Sequence, residues 1–140
     1  MHNHNVTTND LIGKKFVRGA RGPEAFDCHG LVIEVFNRFG IEFPDVDIAG
    51  MAVEAVTALL DEQLDYHLTV LKDWVEIKEP EAPCLVVIKG LGLQFANHLG
   101  VYIGNGKFIH AKEGKGVCIE RLSDATRRKH LRGFYKNAGK

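Results

Sequence analysis

The chain has 140 residues, enough for one domain that buries a hydrophobic core without disulfide or metal cross-links. Lysine plus arginine and aspartate plus glutamate each number 18, so the charge balance indicates neither a nucleic-acid nor a membrane partner. The polar start "MHNHNVTTND" lacks the apolar stretch of a secretion signal, so we expect a protein made in the cytoplasm.

The first half of the domain is predicted to be helical. We expect a flexible tail over residues 1–8 and a single domain over 9–140, which opens with a short helical turn at 9–13. A helix over 28–39 has apolar residues at helical spacing, with Asp27 as its N-cap and Gly40 as its stop. A second helix is predicted over 49–64.

The second half is predicted to be a β-sheet. The apolar run 84–88 is a buried strand, "HLGVYIG" and "KFIHA" form a hairpin around Asn105-Gly106, and 116–122 adds another strand. A helical turn at 127–131 precedes a last strand near "GFYK". Helices followed by antiparallel strands indicate an α+β fold.

The three cysteines, Cys28, Cys84 and Cys118, cannot all pair within one chain, and their spacing does not suit a zinc site. We expect reduced thiols, with Cys84 and Cys118 buried in strands. Cys28 is different because it begins a helix, where the backbone N–H groups lower the pKa of a thiol. Asp27 opposes that effect, so a nucleophilic Cys28 needs a histidine partner. The alternative is a small core residue.

His98 and His110 are candidates for that partner, because both lie in the predicted hairpin. A two-residue turn would put them on opposite faces, whereas a three-residue loop of 104–106 pairs 103 with 107 and puts them on one face. We therefore predict the longer loop, with His110 opposite Gly100 and with Gly106 left-handed. In this interpretation Cys28 attacks an amide carbonyl, His98 is the base, and His110 orients His98. The alternative for each histidine is a structural role.

The segments "LIGKKFVRGARGPEAFDCHGLV" and "HLGVYIGNGKFIHA" resemble the NlpC-type family of cell-wall cysteine peptidases, over roughly residues 9–135. The resemblance implies a compact papain-like fold and a Cys28-His98-His110 triad. It also implies hydrolysis of the bond between D-glutamate and a diamino acid in peptidoglycan stem peptides. Asp27 matches the family aspartate that holds the free amine of the stem. No metal or organic cofactor is implied.

Several positions depart from the family pattern and are expected to affect the substrate pocket; one is Pro83-Cys84, where the family has Gly-Asp before the buried strand. Phe16 replaces a tyrosine, Arg18 a tryptophan and His29 a serine. His29 points about 100° away from Cys28 on the helix, so we expect a pocket wall rather than a base, with a solvated surface histidine as the alternative.

A peptidase domain without a signal peptide or a further domain resembles the peptidases carried on phage tails. Tail proteins are therefore expected partners. The basic run 127–132 is expected to be a solvated face. Two rival functions remain: a non-catalytic module that binds wall peptides or builds a tail, and an acyl or amide transferase with the same triad.

Overall fold

The fold was analysed in a computed structural model that describes residues 6–43, 74–89, 97–124 and 131–139. These residues form a 3-10 helix at Asn9–Leu11, one α-helix and eight strands. The α-helix is α1 (Cys28–Arg38), and the strands are β1 (Lys15–Phe16), β2 (Ala25–Phe26), β3 (Trp74–Ile77), β4 (Cys84–Lys89), β5 (Asn97–Gly104), β6 (Lys107–Lys112), β7 (Gly116–Arg121) and β8 (Leu131–Asn137).

Helix α1 begins and ends where the sequence predicts, to within one residue. The Asp27 side chain accepts a hydrogen bond from the Gly30 N–H at 2.7 Å, which supplies one of the partners that the first turn lacks. Phe39 is the C-cap, and Gly40 follows with φ +78°, a backbone conformation that glycine adopts without strain.

Within the described residues, six strands form one antiparallel sheet in the order β3-β8-β4-β5-β6-β7. Together with α1 they confirm the predicted α+β fold. The strand near "GFYK" is β8, which lies between β3 and β4. Strand β3 and the short parallel pair β1–β2 were not predicted from the sequence.

The sheet has two packed faces, and α1 covers one of them. Odd-numbered residues of β4 to β7 pack with the apolar side of α1 in the larger core; its central members include Leu31, Val35, Val87, Val101 and Ile109. Even-numbered residues form a smaller cluster on the other face: Cys84, Val86, Ile88, Phe108 and Phe134. By strand alternation, His98 and His110 belong to this second face.

The turn between β5 and β6 differs from our prediction. Gly104 pairs with Lys107, so the turn has two residues, Asn105 (φ +57°) and Gly106 (φ +73°), rather than three. A bulge at Ile103 then restores the pairing of Tyr102 with Phe108. The extra residue moves from the loop into the strand, and the register beyond it is the predicted one.

Some predicted elements lie outside the described residues. The helix over 49–64 is one, as are residues 1–5 of the tail and residues 127–130 of the last helical turn and basic run. Leu131, the end of that predicted turn, lies in β8 instead. Thr7 and Thr8 of the predicted tail contact the domain: Thr8 is buried, and the Thr7 carbonyl accepts a hydrogen bond from Arg38. No described helix has the length and apolar character to span a membrane.

Candidate active site

The loop before α1 is fixed by the carboxylate of Asp27. Besides capping the helix through Gly30, this carboxylate accepts a hydrogen bond from the Gly19 N–H at 2.9 Å and forms an ion pair with Arg21, also at 2.9 Å. The Asp27 side chain is only 13% exposed. These contacts hold the loop and the helix start together, and so position the adjacent Cys28.

Gly30 permits the loop to pack tightly on the helix. A Cβ at this position would collide with the carbonyl oxygen of Ala20, which accepts a hydrogen bond from the Asp27 N–H at 3.1 Å. The glycine after "DCH" is therefore required by a backbone contact within the described structure.

The surroundings of the Cys28 sulfur raise the pKa of its thiol. Loss of solvent around the sulfur, followed by the charge of Asp27, raises the pKa of the Cys28 thiol to about 11, although the residue as a whole is half-buried. The backbone N–H groups of Leu99 and His29 and the charge of Arg21 act in the other direction but are outweighed. The helix start and Asp27 thus act in the predicted directions, and burial of the sulfur, which the sequence did not indicate, is the larger cause of the raised pKa.

The Cys28 sulfur lies beside strand β5. The backbone N–H of Leu99 donates a hydrogen bond to it, so the sulfur is next to the strand position that follows His98. Regular pairing of β5 with β6 ends at Val101 and Ile109, two residues from this position.

His98 directly precedes Leu99 in β5, and it contacts His110 in β6. Nε2 of His98 lies 2.7 Å from Nδ1 of His110, with the two rings nearly perpendicular at 68°. His110 is fully buried and packs on Phe108, whereas His98 is half-buried. The histidines therefore share a face, as expected, although the turn that achieves this is different.

Glu120 is a member of this group that the sequence reasoning missed. Its Oε2 atom lies 3.4 Å from Nε2 of His110 and 3.7 Å from the ammonium nitrogen of Lys112, and the Cys118 thiol donates to it at 3.9 Å. His110 pairs directly with Cys118 in the sheet, and Glu120 is two residues further along the same face. Extending the hairpin register to the next strand would have identified it.

His110, Cys118 and Glu120 also offer ligand atoms within 4.8 Å of one another, a spacing that a metal ion could use. The Lys112 ammonium lies beside the same carboxylate oxygen and opposes a second cation there.

Cys118 is half-buried rather than buried, so our prediction for it is wrong. Cys84 is buried as predicted, and burial raises the pKa of its thiol to about 11.

The predicted substrate-contacting residues occupy different environments. His29 is buried and packs at a tilt on Phe43, with ring centroids 5.4 Å apart, so the alternative of a solvated histidine is wrong. Phe16 is half-buried against the larger core, and Arg18 is exposed. The substrate roles of these three residues and of Asp27 stay predictions.

Known proteins share both sequence and fold with this chain. It is 29% identical over 123 residues to the probable endopeptidase p60 of Listeria innocua, covering 88% of this chain and 22% of the relative. It is 32% identical over 124 residues to murein DD-endopeptidase MepH of Escherichia coli, covering 87% and 40%. A lipoprotein-like NLP/P60 protein of Staphylococcus aureus superposes with a TM-score of 0.63 at 24% identity, covering 91% and 38%.

The chain thus spans about a fifth of the Listeria relative and two fifths of MepH. These relatives are named as endopeptidases, and the likeness to the staphylococcal structure shows the fold. The model of the NlpC/P60 family matches residues 13–136. This range contains Cys28, His98 and His110 and the whole described sheet except the end of β8. The chain belongs to the NlpC/P60 family.

Proposed function

We propose that this domain is a cysteine peptidase that hydrolyses an amide bond in peptidoglycan stem peptides. The observation that carries the proposal is the hydrogen bond from the Leu99 N–H to the Cys28 sulfur, which brings the thiol next to the strand position after His98, a histidine in contact with His110. Membership of a family whose relatives are named as endopeptidases supports the same reaction class. A thiol and an imidazole at neighbouring positions are the pair that nucleophilic acyl transfer needs.

The contact between the histidines indicates which nitrogen acts as the base. Nε2 of His98 contacts His110, so we assign the acceptance of the Cys28 proton to the other ring nitrogen, Nδ1. Because the pKa of the resting thiol is raised, the proton leaves as the sulfur attacks rather than beforehand. The sulfur adds to the amide carbonyl carbon, and the oxyanion develops near the backbone N–H of Cys28 at the start of α1.

The rest of the cycle follows from the same groups. The His98 imidazolium returns its proton to the leaving amine as the C–N bond breaks, which leaves a thioester on Cys28. Water then attacks the thioester with His98 again as base, and the carboxylic acid and the free thiol are released.

Two bonds are candidates for the substrate. The resemblance of the sequence to the family indicates the D-glutamyl–diamino acid bond, for which Asp27 would hold the free amine of the stem. Two oxygens of Asp27 already accept bonds from the protein, so the amine would share this carboxylate with Arg21. The name of MepH indicates a D,D-bond as the second candidate.

The test is digestion of purified muropeptides of defined stem composition, one with each bond, followed by mass spectrometry. We expect fragments with the wild type and with Cys118→Ala, and none with Cys28→Ala. The masses of the fragments identify the bond. Intact muropeptides that nevertheless bind the wild type would favour the non-catalytic module, and incorporation of an added amine would favour the transferase. An association with phage tails stays a prediction from the sequence.

A further inference from the structure

A third polar side chain lies in line with the two histidines. His110 contacts His98 through Nδ1 at 2.7 Å and faces Oε2 of Glu120 through Nε2 at 3.4 Å. The two contacts use opposite nitrogens of one buried ring, so the order is His98, His110, Glu120. The Glu120 side chain is 17% exposed, so the carboxylate lies at the border between the ring and solvent.

The carboxylate matters because a neutral imidazole has one N–H and one acceptor nitrogen. A carboxylate accepts hydrogen bonds only, so Glu120 favours the form of His110 with its proton on Nε2. Nδ1 of His110 is then an acceptor, and Nε2 of His98 must be the donor in the 2.7 Å contact. This leaves Nδ1 of His98 without a proton, which is the state that a base requires.

The other form of His110 would disable the base. With its proton on Nδ1, His110 would donate to Nε2 of His98, and the proton of a neutral His98 would move to Nδ1. That nitrogen could no longer accept a proton from Cys28. Selecting between the two arrangements is therefore equivalent to switching His98 between a base and a non-base.

We propose that Glu120 is a positioning residue that keeps the proton of His110 on Nε2 and thereby keeps Nδ1 of His98 unprotonated, the form in which it can act as the base. The inference rests on the proposed function, since it concerns the same thiol and histidines. No proton passes beyond His98: the thiol proton moves to its Nδ1 and then to the leaving amine, while His110 stays neutral.

The charged and titratable neighbours of Glu120 agree with this role. The ammonium of Lys112, on the neighbouring strand β6, lies 3.7 Å from Oε2 of Glu120. The thiol of Cys118, on the same strand as Glu120, lies 3.9 Å from that oxygen. Lys112 balances the charge of the carboxylate and need not contact the His110 ring to do so. The Cys118 thiol is only a weak donor. The 3.4 Å separation to His110 is longer than an ideal N–H···O bond, so the contact acts mainly through charge.

The test combines nitrogen NMR with kinetics on variants of the 140-residue chain. Long-range ¹H–¹⁵N spectra at pH 8, assigned with a His110→Gln reference, report which ring nitrogen of His110 carries the proton. We expect Nε2–H in the wild type and a mixture or Nδ1–H in Glu120→Leu. In the same variant kcat/KM falls about 10- to 100-fold, the size typical of outer groups that orient a histidine, with KM little changed.

Glu120→Gln retains an acceptor oxygen and is expected to lie between the wild type and Glu120→Leu in both measurements. Cys118→Ala removes the thiol that contacts Glu120 and is expected to leave both the position of the His110 proton and kcat/KM unchanged. A wild-type spectrum with the proton on Nδ1, or a folded Glu120→Leu with wild-type kcat/KM, overturns the proposal. If wild type cleaves no muropeptide, the proposed function fails, and the spectra still decide the position of the proton.

Discussion

Gly100 faces His110 across the β5–β6 hairpin so closely that a Cβ on Gly100 would lie 3.1 Å from the Cβ of His110 and 2.9 Å from the Ile109 carbonyl oxygen. We predict that Gly100→Ala forces the strands apart and displaces His110 from His98. A misplacement of about 1 Å in a catalytic group costs roughly 100-fold in rate, so muropeptide cleavage should fall by about that factor.

Gly133 provides the matched control for this change. It also lies in a strand, but the nearest atom to its added Cβ is the flexible carboxylate of Glu76 at 3.2 Å. Gly133→Ala should therefore retain most of the activity and the melting temperature of the wild type. Wild-type cleavage by Gly100→Ala would show that the spacing of the histidines tolerates a shift of the strands.

The raised pKa of Cys28 predicts a particular pH dependence for alkylation. Thiolate is the reactive form, so the rate of Cys28 modification by iodoacetamide should be low at pH 6 and still rise above pH 9. Asp27 raises this pKa, so Asp27→Asn should lower it and increase the rate at pH 8 about threefold or more. Mass spectrometry of the Cys28 peptide separates its reaction from that of half-buried Cys118.

Arg21→Gln is the control of opposite sign, because the Arg21 charge lowers the Cys28 pKa. Its alkylation profile should move to higher pH. A rapid reaction of the wild-type thiol at pH 6 would instead mean that an imidazolium holds a stable thiolate in the resting protein. Circular dichroism of each variant verifies that α1 persists after its neighbouring charges change.

Gly30→Ala should destabilise the protein, in contrast to the usual effect in a helix. Alanine normally favours a helix over glycine by about 1 kcal/mol. Here the added Cβ meets the Ala20 carbonyl and lies 3.1 Å from the Arg21 Cα. We expect a net loss of about 1–3 kcal/mol in the free energy of unfolding, the range typical of overpacked sites.

The measurement is urea denaturation followed by circular dichroism. Asn37→Ala is the matched control, because Asn37 is exposed in the same helix and alanine there gains helix propensity without a collision. An equal gain in stability from Gly30→Ala would show that the loop at 19–27 moves away from the helix without cost.

The sequence was informative where local rules decide the structure. Asp27 and Gly40 define the ends of α1 because capping depends on a few neighbouring residues. The shared face of His98 and His110 followed from strand alternation, and a bulge at Ile103 preserved it even though the loop length was wrong.

Features that depend on contacts between residues far apart in the sequence could not be predicted from it. The pKa of Cys28 depends on how β5 and the loop enclose its sulfur, and neither enclosure has a local signature. The position of β8 between β3 and β4 pairs segments far apart in sequence, which alternation within one strand does not reveal. Glu120 lies on β7, so its place beside His110 depends on the register of a third strand and does not follow from the β5–β6 hairpin alone.

The position of β8 also determines when this sheet can be completed during synthesis. Strand β3 has β8 as its neighbour in the sheet, and β4 has β8 on its side away from β5. Until residues 131–137 leave the ribosome, both strands expose backbone edges, and β4 lacks one of its two partners. We expect the nascent chain to lack the proposed cleavage activity until β8 inserts, which would delay any hydrolysis until residues 131–137 have been translated.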